Sequence, residues 1–155
     1  MIRTYANTKA ELNIETDRLH LLMDRKDELY TKYFPITTRL KEVTSHTNQT
    51  TDSMTAYVYE LTKINLVTGK SLDDEIEETR NKIGKLRYYL KRMEINLEQT
   101  TGIENELFKL IIIKGYRPTK AVEMVAEKYK KEPITIWKYN YPKIKKEISK
   151  CIVNV

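Results

Sequence analysis

Apolar side chains recur in the N-terminal part of the chain at spacings of three and four. The first run takes in Leu12, Glu15, Leu19, Leu22, Lys26, Leu29, Tyr33, Ile36, Leu40 and Val43. This is the a/d seam of a heptad repeat with two charged interruptions, and it predicts a long helix. Pro35 falls inside the run, so a kink or short break is expected there, with the same phase on both sides. The seam fades in the polar stretch Thr44–Ser53, which reads as a loop. A second run follows through Met54, Val58, Leu61, Asn65, Thr68, Leu72, Ile76, Thr79, Ile83, Leu86, Leu90, Met93 and Leu97. Within it, Gly69 suits a C-terminal cap, and Ser71 with Asp74 has the spacing of a capping box opening a new helix. Asp73, Asp74, Glu75, Glu77 and Glu78 crowd that helix's first turns, where the helix dipole favours anions, while Arg87, Lys91 and Arg92 lie towards its other end. Two seams joined by a polar loop predict an antiparallel helical hairpin. An intermolecular coiled coil has the same pattern.

The C-terminal third is patterned differently. Gln99–Gly102 closes the second seam, and ENELFKLIII predicts a short helix with Leu107, Phe108, Leu110 and Ile111 available for a core. The chain turns at Gly115–Pro118, and Thr119 is expected to cap the next helix. That helix carries Ala121, Val122, Val125, Ala126 and Tyr129 on one face. Lys130-Lys131-Glu132 reads as a three-residue turn, and Pro133 stands where proline is best tolerated, in the first turn of a second helix. The second helix is expected to present Ile136, Tyr139 or Asn140, and Ile144 to the first. Ala126 is small enough for a steep crossing, and Ile136 is placed to lock the second helix down. A turn of this kind often holds glycine where Lys130 stands, so Lys130 is expected in either a right-handed or a strained left-handed conformation. The fold class expected is therefore all-α. A long helical hairpin or coiled coil spans residues 1–100, and a trihelical helix-turn-helix domain spans residues 101–155.

Composition agrees with helices: 40% of the 155 residues are hydrophobic and 32% charged, with four Gly and four Pro. No apolar run approaches the roughly 20 residues that span a bilayer, and the N-terminus has no apolar signal region. A protein of the cytoplasm, away from membranes, is expected. The lone Cys151 excludes an internal disulfide and a cysteine-based zinc site. His20 and His46 are isolated and read as surface residues. There is no nucleophile–histidine motif, Gly-rich phosphate loop or metal signature, so neither an enzyme nor a cofactor binder is expected. A solvated helix start explains the carboxylates of Asp73–Glu78 better than a cation site does. The net charge of +6 is concentrated: Lys114–Lys150 holds eleven basic and four acidic residues, against 17 and 18 in the remainder. Such asymmetry points to a polyanion, nucleic acid or an anionic membrane. Pro133 and Pro142 divide the stretch and argue against a single membrane-surface helix.

If the two helices form a helix-turn-helix, the second is the recognition helix, with Ile134, Thr135, Trp137, Lys138 and Tyr141 on its outer face. Lys138 can meet a guanine edge or a phosphate, and Thr135 a phosphate or a thymine methyl. Trp137 is divided between a DNA-facing role and packing on a neighbouring helix, whereas Tyr139 is expected in the core. Arg117, Thr119 and Lys120, at the start of the first helix, are placed for phosphates. Lys130, Lys131, Lys143, Lys145 and Lys146 can neutralise others. Pro142 is expected to kink the second helix or to start a separate last turn.

VAEKYKKEPITIWKY resembles the helix-turn-helix of sigma factor region 4. The wider arrangement is ITTRLKEVTSHTNQTTD, then the helix through LDDEIEETRNKIGKLRYYL, then Lys120–Ile148. It resembles small phage-encoded transcriptional regulators, the ArpU-like late-gene activators among them. The glycine-containing turn and arginine-rich recognition helix frequent in such proteins are missing here. The resemblance implies a phage or mobile-element protein in a bacterial host. It would act at promoters on double-stranded DNA, with RNA polymerase as a partner and the N-terminal helices as a homodimer or polymerase contact. Two rivals are a phage DNA-packaging component of the terminase small-subunit kind, and a protein-interaction module that inhibits a host or phage complex.

Overall fold

The computed structural model describes residues 1–35 and 49–152, and among them every regular element is helical. In chain order these are α1 (Ile2–Tyr33), α2 (Gln49–Thr62), α3 (Leu72–Glu98), α4 (Ile103–Phe108), α5 (Pro118–Tyr129), α6 (Pro133–Thr135) and α7 (Tyr141–Cys151). Wide π-helical turns extend α4 over Lys109–Ile113 and join α6 to α7 over Ile136–Asn140. The all-α class is as expected. The chain divides into two compact units, residues 1–14 with 84–155 and residues 15–83. The expected boundary at residue 100 falls inside the first unit, because residues 1–14 and 84–98 pack with the C-terminal helices.

In the unit of residues 15–83, Leu61, Leu72 and Ile76 are buried together, with Leu19, Leu22, Met23, Leu29 and Tyr57 packed on them. Cross-helix pairs show that α1 and α3 run antiparallel: Glu15 accepts from Lys82 at 2.8 Å, and Lys26 meets Asp73 at 3.4 Å. Helix α1 ends at Tyr33, before Pro35, since proline disfavours helical backbone in the residue preceding it. Ile36, Leu40, Val43 and His46 lie outside the described residues. The expected loop Thr44–Ser53 needs correction at its end, where α2 already begins at Gln49. The seam assigned to α2 is also rotated. Leu61 is buried as read, but Met54 and Val58 are exposed, and Tyr57 faces inward in their place, with its ring 6.0 Å from that of Phe34. Gly69 does not cap α2, which ends at Thr62. It sits at φ 69° in a connecting loop, where its N–H donates to the Asn65 carbonyl at 2.7 Å. The capping box is formed as read: the Asp74 N–H donates to Ser71 Oγ at 3.1 Å, and the Ser71 N–H to Asp74 Oδ2 at 3.4 Å.

In the other unit, Leu86, Leu90 and Leu97 of α3 are buried, as are Leu107, Phe108, Ile111, Val122, Val125, Ile136, Ile144 and Ile148 of the C-terminal helices. Tyr5 and Ala6 of α1 are buried here too. The Tyr5 ring stands edge-on to Phe108 at 5.7 Å, and its hydroxyl donates to Glu94 Oε1 at 2.7 Å. Lys109 reaches back to the open end of α3, donating to the Thr100 carbonyl at 2.8 Å and thereby supplying the cation that end lacks. Cys151 is buried in the last turn of α7, and burial pushes its thiol up to about 11. Among the described residues no helix is long and apolar enough to cross a membrane.

Candidate nucleic-acid interface

Helix α5 buries Ala121, Val122, Val125 and Ala126, the face read from the sequence, and leaves Glu123, Glu127 and Lys128 exposed. Its start differs from expectation. Arg117 is the N-cap residue, in extended backbone, and Pro118 takes the first turn. Thr119 therefore lies inside the helix, exposed, and is not the cap. The helix ends in a Schellman motif: the Lys131 N–H donates to the Ala126 carbonyl at 2.9 Å, and the Lys130 N–H to the Glu127 carbonyl at 3.3 Å. Lys130 supplies the left-handed residue this motif needs, at φ 53° and ψ 45°, the strained alternative. The chain then re-enters a helix through Glu132 and Pro133, with Pro133 in the first turn as expected.

The second helix runs from Pro133 to Cys151 through the wide turn. Ile136 is fully buried, and Ile144, Ile148 and Cys151 continue its face. In a regular α-helix, Ile136 and Ile144, eight residues apart, would drift by about 80° around the axis. The π-helical turn takes up one extra residue and brings both to the core. The same turn corrects the expectation for Tyr139, which is 58% exposed. It also accommodates Pro142, which sits in the first turn of α7, so the proline opens a last segment. The Tyr141 N–H bonds to the Ile136 carbonyl, five residues back, just ahead of the position where proline brings no donor.

Two carboxylates of α4 clamp the two helices. Glu106 is buried and accepts from Lys128 at 2.8 Å and from the Tyr129 hydroxyl at 3.0 Å. That hydroxyl in turn accepts from the Gly102 N–H at 3.0 Å. Glu104 accepts from Asn140 at 3.1 Å and Lys143 at 3.4 Å, on the second helix. Burial works to raise both carboxyls. For Glu106 the hydrogen bonds and charge of its partners prevail, and for Glu104 its own backbone bond with Asn140 and Lys143, so both lie below the usual carboxylate range. Sequence reading missed these clamps, because the partners stand 22 to 39 residues away with no local signature.

The residues assigned to DNA fall into two groups. Arg117, Thr119, Lys120, Lys130, Lys131, Lys138 and Lys145 are all exposed, and among the described residues none of these cations is in a salt bridge. Ile134 is 75% exposed, an apolar side chain on the outer side of α6. Thr135, Trp137 and Tyr141 are half-buried. Trp137 packs edge-to-face on Tyr141 at 4.7 Å between ring centroids. Lys138 lies over the ring of Tyr139 at 5.3 Å. Lys143, also assigned to phosphates, instead pairs with Glu104. No protein-family model, no curated protein and no solved structure matches the chain.

Proposed function

We propose that the chain binds double-stranded DNA through α5 and the helix beginning at Pro133, as a transcriptional regulator of phage or mobile-element genes. The observation that carries this reading is the division of labour among the C-terminal lysines. Lys128, Lys143 and Lys150 meet carboxylates of the chain itself. Among the described residues Arg117, Lys120, Lys130, Lys131, Lys138, Lys145 and Lys146 have no carboxylate partner, and they are exposed along α5, the turn, the wide turn after α6 and α7. Unpartnered cations around a helix held rigidly by Ile136, beside an exposed Ile134, supply both phosphate contacts and groups for base edges. The Schellman turn supports the same reading, since it fixes the angle at which the second helix leaves the first. Regulation at promoters, with RNA polymerase as a partner, rests on the sequence resemblance.

Binding of fluorescent duplexes selected from a randomised pool tests this. Six phosphate contacts give a log-affinity against log-salt slope of roughly −5. Lys138→Ala is expected to relax sequence preference, whereas Lys131→Ala weakens all duplexes alike and flattens the slope by about one. Equal effects from the two would make Lys138 a phosphate contact only. Absence of duplex binding at low salt would overturn the proposal.

A further inference from the structure

The C-terminal half of α3 has an outer face that the DNA reading leaves unused. Its core side carries Leu86, Leu90 and Leu97. At about 100° per residue the opposite side carries Lys85, Tyr88, Arg92 and Ile95, flanked by Tyr89 and Lys91. Tyr88, Tyr89 and Ile95 are 61%, 51% and 54% exposed. The two tyrosine rings stand 6.0 Å apart at 59° to one another, so each offers a separate face, and the Arg92 guanidinium lies 5.8 Å from the centroid of Tyr88. No acidic residue occurs between Lys82 and Met93. Among the described residues Lys85, Arg87, Lys91 and Arg92 form no salt bridge. Gly84 opens the stretch, exposed and mid-helix, with nothing within 4 Å of where a Cβ would stand. Packing does not require glycine there, although glycine weakens a helix interior by about 1 kcal/mol. Bare backbone at that point leaves room for a close approach from outside.

The chemistry selects the occupant. Four unpartnered cations call for a polyanion. A second copy of the same face would bring like charges together across a two-fold axis. A bilayer surface needs an apolar stripe to insert, and that of α3 already lies in the core. Adjacent tyrosine rings beside arginine make a platform on which bases stack, and only unpaired bases offer their flat faces, since a duplex covers them. We propose that the outer face of α3, built on Lys85, Tyr88, Tyr89, Lys91 and Arg92, is a second binding surface, for single-stranded nucleic acid. It is independent of the duplex reading and stands or falls without it.

The test is fluorescence anisotropy of the full chain with oligothymidine of about 15 nucleotides, next to a duplex of equal length. Tyr88→Ala/Tyr89→Ala is expected to weaken oligothymidine about tenfold with the salt slope nearly unchanged. Lys91→Gln/Arg92→Gln is expected to flatten that slope by about 1.4. Lys131→Ala/Lys138→Ala, on the duplex-reading helices, is expected to weaken the duplex more than oligothymidine, the reverse of the tyrosine pair. All six side chains are solvent-facing or half-exposed, and unchanged circular dichroism checks that each variant is folded. Absence of oligothymidine binding, or no effect of the tyrosine pair, overturns the proposal. So does an equal loss on the duplex, which would make the face a duplex-phosphate contact. Displacement of oligothymidine by polyglutamate at equal charge would show an unselective anion surface and also overturn it.

Discussion

Lys130 occupies a backbone conformation that costs a side-chain-bearing residue roughly 1–2 kcal/mol and costs glycine almost nothing. The Schellman bonds from Lys130 and Lys131 to α5 close around it, so the strain is held by the motif on both sides. Lys130→Gly should therefore raise stability in urea denaturation by about 1 kcal/mol. It also removes a cation from the turn, so the more stable variant should bind duplex DNA more weakly, with a salt slope smaller by about 0.9. A variant that gains stability and loses no affinity would show that the lysine is there for neither the turn nor DNA. Sequence alone narrows this residue to two conformations and no further. What decides between them is the pair of backbone bonds that only the assembled turn provides.

Among the elements, the helix from Pro133 to Cys151 carries the sharpest coupling. Its wide turn amounts to one inserted residue, placed directly before Pro142. Deleting Tyr139, which is exposed in that turn, would leave Ile136 and Ile144 seven residues apart, a spacing that regular α-helix keeps on one face. The deletion would also return Pro142 to a regular helix interior, at about 3 kcal/mol or more. We therefore expect the deletion to be strongly destabilising alone and mostly rescued by Pro142→Ala, while Pro142→Ala alone changes little. Thermal unfolding of the four chains measures this, and additive effects would rule out the coupling. The same turn explains why Tyr139 was misread: a period of 3.6 residues places it inward, and the extra residue turns it out. By contrast, the inward face of α3 was largely legible, because Leu72, Ile76, Thr79, Ile83, Leu86, Leu90 and Leu97 sit in an unbroken helix and are buried, with Met93 of the same seam half-buried. The start of α2 was not legible. Gln49, Thr50, Thr51 and Asp52 are polar residues of low apolar content, and a helix turn with no apolar period reads like a loop. The outer face of α3 was hidden for another reason: its acidic first turns cancel its basic end in any charge total.

For the molecule as a whole, charge acts at two ranges. At short range, Glu104 and Glu106 bind the short helix α4 to both halves of the proposed DNA reader. Both are held below the ordinary value of 4.5 in the folded state. The sign follows from linkage: the unfolded chain takes up these protons first, so the contribution is complete above pH 4.5 and is lost as the pH falls through the lowered values. Urea denaturation across a pH series should show stability declining below that point. Glu104→Gln/Glu106→Gln should be less stable at neutral pH and flatter in the acid range, and parallel curves would refute the clamps' role. At long range, the unpartnered cations of the C-terminal helices and of α3 set how strongly the chain is drawn to polyanions, and salt screens that attraction. Cys151 adds a different consequence. It is the chain's sole thiol, buried in the last helical turn, and burial pushes it still further from ionising at neutral pH than an exposed thiol. A thiol in that state neither ionises nor meets an oxidant while α7 is docked. A disulfide-linked pair of chains in an ageing preparation would therefore be a fossil of molecules whose final helix had once come away from its core.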